Sequence, residues 1–399
     1  MIIYLNNQPI GKIETTEDGR EFSYISSYLH QPNAVAISLS LPLDPAPYPE
    51  KMAKPFFDSI SPDLWDSNAE HHFPCSGSLS FYKHNLSIQP YNEIEIAECE
   101  ELLNRQLVPI PNNRLIAIAD VQPHLGISII DGEIFQAVEP NDNTHILKSD
   151  LPEFEDLVGN EIFVSLIAYN LNIAVPMISR VHLNNTPALV MDRPDRLAPV
   201  GAAQLGQKIH HESFISALSN QIFGSGKKHH ISMDGQFDLL RQYAIVPAVD
   251  CRSLIRAISL CLIAGCDDFA IENQLIEILP NTSCRLAPFS GFITTDLYPN
   301  TAKRFLDYLF GIQHFAHLKK SHICDFAQKI RVNDKYLCSV ILELSHSIPK
   351  IAKDIFETFP ALKSPITLKI AKLIDQRSII LRAMLQDKKL QKEKVLQAS

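Results

Sequence analysis

The feature that most constrains this chain is a change of hydrophobic period near Arg193. Ahead of it, short runs alternate apolar and polar residues: MIIYLNNQPIGKI at the start, GSLSFYK (77–83), THILK (144–148) and PALVMD (187–192). A period of two is the pattern of a half-buried strand. Proline, glycine and asparagine punctuate these runs, most densely in SLSLPLDPAPYPE (38–50), which reads as extended and proline-broken. IAIADVQPHLGISIIDGEIFQAV (116–138) reads as a hairpin turning at Asp131-Gly132. Two stretches have helical spacing: ECEELLNRQL (98–107), and Asp156–Leu171 with apolar residues at 157, 158, 162, 163, 166 and 167.

Beyond Arg193 apolar residues recur every three or four positions. SFISALSNQIF (213–223), DLLRQYA (238–244), LIRAISLCLIAG (254–265), AKRFLDYLFGI (302–312) and most of 318–386 follow this rule, with little strand signal. The 399 residues are enough for two or three packed units. No apolar run reaches the roughly 20 residues of a membrane helix. The N-terminus lacks a basic segment followed by an apolar one, so no signal peptide is expected and the expected location is cytoplasmic. The eight cysteines form no CxxC pair and read as buried free thiols. The pairs His71-His72, His210-His211 and His229-His230 lack zinc spacing, HHFPC (71–75) coming nearest. A net charge of −9 argues against direct DNA contact by this chain alone.

A strand-rich lobe holding one helix, followed by a helical lobe, is the bilobal plan of a protein kinase. Such chemistry needs a strand lysine on the phosphates, a helix glutamate fixing that lysine, and a loop over the phosphates. It also needs an Asp facing the hydroxyl, with an Asn and an Asp holding magnesium. Lys148 ends THILK and Glu161 follows in GNEIF (159–163), in the right order. Alone, the pair would read as a surface salt bridge.

EFSYISSYL (21–29), ISLSLPL (37–43), FFDSISPD (56–63), NTHILK, GNEIF, ALVMDRPDRL (188–197), HHESFISAL (210–218), IAGCDDFAIEN (263–273) and LAPFSGFITTDLYP (286–299) run in this order. Together they make the chain resemble the HipA-type serine/threonine kinases, toxins of bacterial type II toxin–antitoxin pairs. The resemblance implies an α+β, bilobal kinase-like fold with an added N-terminal β-rich subdomain. The implied units are 1–110, a kinase-like N-lobe at 111–193, a helical C-lobe at 194–386 and a charged tail at 387–399. It implies Lys148 and Glu161 as the ATP-anchoring pair, with Gln122 and Asp192 also at nucleotide-binding positions. Asp268 becomes the catalytic Asp and Asn273 the magnesium Asn, matching the family's D-x-H-x-K-N loop. The alternative is that Asp267 and Asp268 merely cap a turn. ATP and Mg2+ are the cofactors if the chain is active. The implied partners are a HipB-like helix-turn-helix antitoxin or an active kinase, with no membrane contact.

The departures cluster at one site. Against the family's S-[IV]-x-G-x-Q-[PE]-K, Ala117 replaces the serine whose autophosphorylation ejects the loop, Asp120 the glycine and His124 the lysine. An aspartate beside a triphosphate is repulsive. Pro194 stands where a free hinge N–H would meet adenine. Ala270 and Glu272 replace His and Lys. In LAPFSGFITTDLYP, Gly291 replaces the metal-binding aspartate of P-x-Y-D-L-L-S-T. These losses imply a pseudokinase that acts by binding. The alternatives are that Glu272 supplies the metal carboxylate instead, or that the chain is an active kinase. In the latter case it would phosphorylate a translation factor, as relatives phosphorylate glutamyl-tRNA synthetase.

Overall fold

The computed structural model describes residues 1–17, 19–61, 64–65, 78–81, 91–107, 117–138, 142–184, 186–197, 207–220, 233–271, 274–301 and 304–386, excluding the side chains of 119 and 120. HHFPC, His229-His230, Glu272, Asn273 and the 387–399 tail lie outside the described residues.

The first unit is an antiparallel meander, β1 (Ile2–Leu5), β2 (Gln8–Thr16) and β3 (Gly19–Tyr24), as the alternation predicts. Asn6 and Asn7 make the first turn at φ 49° and 62°, the left-handed region that asparagine tolerates. After α1 (Ser26–Leu29), the proline-broken segment is not extended throughout: it turns at Ser38–Leu41, where the Leu41 N–H meets the Ser38 carbonyl at 3.2 Å, before β4 (Tyr48–Pro49), α2 (Glu50–Ile60) and β5 (Leu79–Ser80). The sheet order is β4-β3-β2-β1-β5. Phe22, Phe57, Trp65 and Phe81 fill its core.

The second unit comprises β6 (Tyr91–Glu93), α3 (Ile96–Asn104), α4 (Ile118–Val121), β7 (His124–Ile130), β8 (Glu133–Ala137), β9 (His145–Ser149), α5 (Leu157–Asn170), β10 (Ile178–Leu183) and β11 (Thr186–Asp192). Six strands form an antiparallel sheet in the order β10-β11-β9-β7-β8-β6. The hairpin turns at Asp131 (φ 52°) and Gly132 (φ 90°), as expected. Its first arm is shorter than the sequence suggests. IADV is a helical turn, and the strand begins only at His124. No glycine or proline lies between Ala117 and Gln122 to keep that segment open.

The third unit holds β12 (His211–Ser213), α6 (Phe214–Ala217), α7 (Met233–Tyr243), α8 (Pro247–Ala264), β13 (Leu275–Leu279), β14 (Ser283–Leu286), α9 (Phe305–Phe310), α10 (Lys320–Lys329), α11 (Asp334–Thr358) and α12 (Pro365–Gln386). The helices match the periodicity, but β12-β13-β14 form a small sheet that it understated. Its strands are three to five residues long, too short for alternation to stand out. Helix α5 is buried on nearly every side, and its core continues into α7, α8, α11 and α12. It therefore belongs to the strand-rich lobe by sequence and to the helical core by packing.

Buried polar contacts join the first unit to the third. Glu212 accepts from Ser38 Oγ at 2.5 Å and from the Leu39 N–H at 3.1 Å, and His210 Nε2 meets the Ile37 carbonyl at 2.9 Å. Burial pushes the Glu212 carboxyl up to about 8, against both bonds, and pushes His210 down to about 4. A raised acid stabilises fully below its ordinary 4.5, and that contribution is lost as pH rises toward 8. A depressed histidine stabilises above 6.5, and that contribution is lost as pH falls toward 4. The two slopes oppose between 4.5 and 6.5, leaving the Glu212 loss alone above 6.5. Melting temperature followed against pH should therefore fall more steeply above pH 6.5 in the native chain than in Glu212→Gln. Parallel curves for the two proteins would contradict this assignment.

Candidate functional site

The end of β9 carries Lys148, and α5 carries Glu161 opposite it. Lys148 Nζ lies 2.8 and 3.0 Å from the two Glu161 carboxylate oxygens, and Glu161 is 1% exposed. Local sequence fixes this geometry. Asp150, just after β9, accepts the Val158 N–H at 2.8 Å, tying the strand end to the helix start. Asp156 (φ 47°) caps α5 by accepting the Gly159 N–H at 3.0 Å. A Cβ at Gly159 would lie 2.3 Å from that carboxylate, so the cap requires glycine. The lysine and glutamate suggested by order and spacing are brought together.

Asn160, beside Glu161, was not singled out by sequence. It is fully buried and clasps Thr294: its Nδ2 donates to the Thr294 carbonyl at 3.0 Å and its Oδ1 accepts the Thr294 N–H at 2.9 Å. The turn after β14 is thereby bound to α5. Thr294 Oγ1 also donates to the Ala264 carbonyl at 2.8 Å, and Thr295 Oγ1 accepts the Asp267 N–H at 2.9 Å. Gly265, at φ 76°, ends α8 and hands the chain to Asp267 and Asp268. Phe269 stacks on Phe292 with centroids 5.0 Å apart and lies 6.2 Å from Phe289. One aromatic cluster thus supports both Asp268 and the Phe289–Phe292 turn.

At the tip of that turn Gly291 has φ 78°, and among the described residues nothing lies within 4 Å of where a Cβ would stand. Asp296, five residues on, is bound to Arg377, which also donates to the Leu262 carbonyl at 3.0 Å. Asp267 offers its carbonyl to the Arg304 and Phe305 N–H groups at 3.2 and 3.1 Å, at the start of α9. Asp268 Oδ2 accepts the Ile118 N–H at 2.8 Å, reaching across 150 residues to the start of α4. It thus holds the first N–H of a distant helical turn.

Gln122 is 5% exposed and donates to the Ser149 carbonyl at 3.1 Å, joining α4 to β9. Asp192, exposed at the end of β11, lies 3.3 Å from His145 Nε2. Burial holds His145 below its ordinary value, against the pull of Asp192. The hinge turns at Pro194, with Asp195 bridging Arg193 at 3.0 Å and Arg196 at 2.7 Å. Pro194 offers no N–H there.

The residues present fit nucleotide in part. Lys148, held by Glu161, can meet phosphate oxygens, while Gly291 cannot ligate a metal. Among the described residues no three His, Cys, Asp or Glu side chains gather as a metal set. No helix among them is long and apolar enough to cross a membrane.

Comparison with known proteins follows the same outline. A Sinorhizobium fredii protein named "Putative kinase Y4mE" is 25% identical over 318 residues, covering 71% of this chain and 74% of its own. Among solved structures, a chain of the Shewanella oneidensis MR-1 toxin–antitoxin complex of HipA, HipB and operator DNA superposes with a TM-score of 0.75. That match covers 96% of each chain at 15% identity. The HipA N-terminal domain matches residues 1–73 and the HipA-like C-terminal domain matches residues 116–353. The chain therefore belongs to the HipA family.

Proposed function

We propose that this protein is a HipA-family pseudokinase of a toxin–antitoxin assembly, acting by binding rather than by phosphoryl transfer. The observation that carries the reading is Gly291, which puts a bare left-handed turn where the family places a metal carboxylate. Phosphoryl transfer depends almost wholly on positioned charge, and losing one such element commonly costs ~10²–10³ in rate. Asp120 and Glu272 would add carboxylates where the family uses glycine and lysine. The partner proposed is a HipB-like helix-turn-helix antitoxin or an active kinase, and DNA contact would come through that partner. The HipB-containing complex of the structural relative supports the first choice.

The intact Lys148–Glu161 pair favours a second reading, an active serine/threonine kinase using ATP and Mg2+ on a translation factor such as glutamyl-tRNA synthetase. Labelled ATP separates the two. Residues 113–124 contain no Ser, Thr or Tyr, so this segment has no acceptor for the family's switch phosphate. Incubated with magnesium and γ-labelled ATP, the purified chain should carry no phosphate after exhaustive digestion and peptide mapping. Label on a Ser or Thr near this segment would mean that the loop has been misplaced and the chain is active.

A further inference from the structure

The part of the cleft that ought to move is fastened at three points. In phosphoryl transfer, the covering loop must admit phosphates and the catalytic Asp must face a hydroxyl. Here Ile118 is fully buried and joins the apolar cluster that includes Phe269, Phe289 and Phe292. Its N–H is held by the Asp268 carboxylate at 2.8 Å. The far end of the same turn is pinned by Gln122 to the Ser149 carbonyl, while the Ser149 N–H meets the Pro123 carbonyl at 3.3 Å. Ser149 is the residue next to Lys148, so the pins reach both halves of the site.

We propose that residues 117–123 are a built-in latch, with Ile118 as the plug and Asp268 as its catch. The latch holds the nucleotide cleft shut without any phosphate. That the cleft would otherwise take nucleotide rests on the kinase-fold reading above. Two sequence changes fit the device. Replacing the loop glycine by Asp120 removes the residue that favours an open, left-handed backbone. The run Ile118–Val121 can then close as a helical turn, whose first N–H groups need an outside acceptor. Asp268 supplies one, and a bond to an ionised acceptor is stronger than a neutral one. With Ala117 in place of the switch serine, release cannot depend on phosphorylating that position.

The test uses the full chain without nucleotide, followed by hydrogen–deuterium exchange. Asp268→Ala should speed exchange in peptides covering 117–123 about tenfold or more. Asp268→Asn keeps an oxygen acceptor without the charge and should give a smaller acceleration. Ile118→Ala, which leaves the catch intact, should also speed it. Retained protection of 334–358, in the long α11 helix, reports that each variant is folded. A fluorescent ADP without metal supplies the second readout. Apparent affinity scales with the fraction of open molecules, so Asp268→Ala and Ile118→Ala should each bind it about tenfold more tightly.

Unchanged exchange at 117–123 in folded Asp268→Ala and Ile118→Ala overturns the latch. Faster exchange with unchanged ADP affinity overturns its role as guard of the nucleotide cleft. Neither result bears on the pseudokinase reading. That reading fails separately, if the native chain transfers phosphate.

Discussion

Magnesium and ATP at about 1 mM are expected to leave the melting curve of the native protein almost unmoved. A kinase binding Mg-ATP with micromolar affinity would gain roughly 4 kcal/mol under those conditions by mass action. Three features of this chain work against that gain. The hinge turn at Pro194 has no N–H for adenine. The turn at Gly291, proposed above as the vacated metal position, carries no side-chain carboxylate. The proposed latch is the third, with Ile118 buried and its N–H held by Asp268. Lys148→Ala is the control, because it removes the lysine proposed as the phosphate anchor. A shift of several degrees in the native chain, abolished in Lys148→Ala, would mean that the pocket is filled and that these three obstacles do not act.

Much of this could be read from residues alone. The period change near Arg193 separated the strand-rich part from the helical part because each pattern persists over many residues. Lys148 and Glu161 were legible because strand, helix and spacing fixed their order. Their contact at 2.8 Å adds only the geometry. Gly291 is visible as a gap in an otherwise matching turn, and the structure adds that no described residue lies within 4 Å of where its Cβ would stand.

Other features depend on contacts that spacing cannot report. Asn160 is one letter in GNEIF, and its clasp on Thr294 spans 134 residues. The Asp268–Ile118 bond spans 150, so neither residue's neighbourhood announces it. The sequence predicts strand at 118–121 because the apolar run leads into a true hairpin. Burial of Ile118 against the helical core, together with the outside cap, decided for a helical turn instead. The strands β12, β13 and β14 were too short for a period of two to outweigh the helices around them.

The second large effect is expected from repair. Gly291→Asp should be tolerated, since no described residue crowds the position and aspartate enters the left-handed region more readily than most residues. Alone it should restore some magnesium binding and little catalysis, because the phosphate loop and positions 270 and 272 remain wrong. Adding Asp120→Gly, His124→Lys, Ala270→His and Glu272→Lys should bring measurable transfer of γ-phosphate to a protein serine. Groups that act as a unit recover non-additively, so the full set should far exceed the sum of its single changes. Asp120→Gly should also loosen the helical turn that Asp268 caps, returning the carboxylate to the cleft. Asp268→Ala in the repaired chain should abolish transfer, since it removes the group that faces the hydroxyl.

The most direct measurement is the ratio of phosphoryl-transfer rates between repaired and native chains, under the same magnesium and ATP. Loss of a metal carboxylate predicts a ratio of about 10² or more, with the native rate near background. Suppose instead that the native chain transfers phosphate within about tenfold of the repaired one, and that Glu272→Ala abolishes it. A ratio that small cannot come from losing a metal ligand outright. Glu272 would then be the ligand that replaces the missing aspartate, and the protein would be a working kinase.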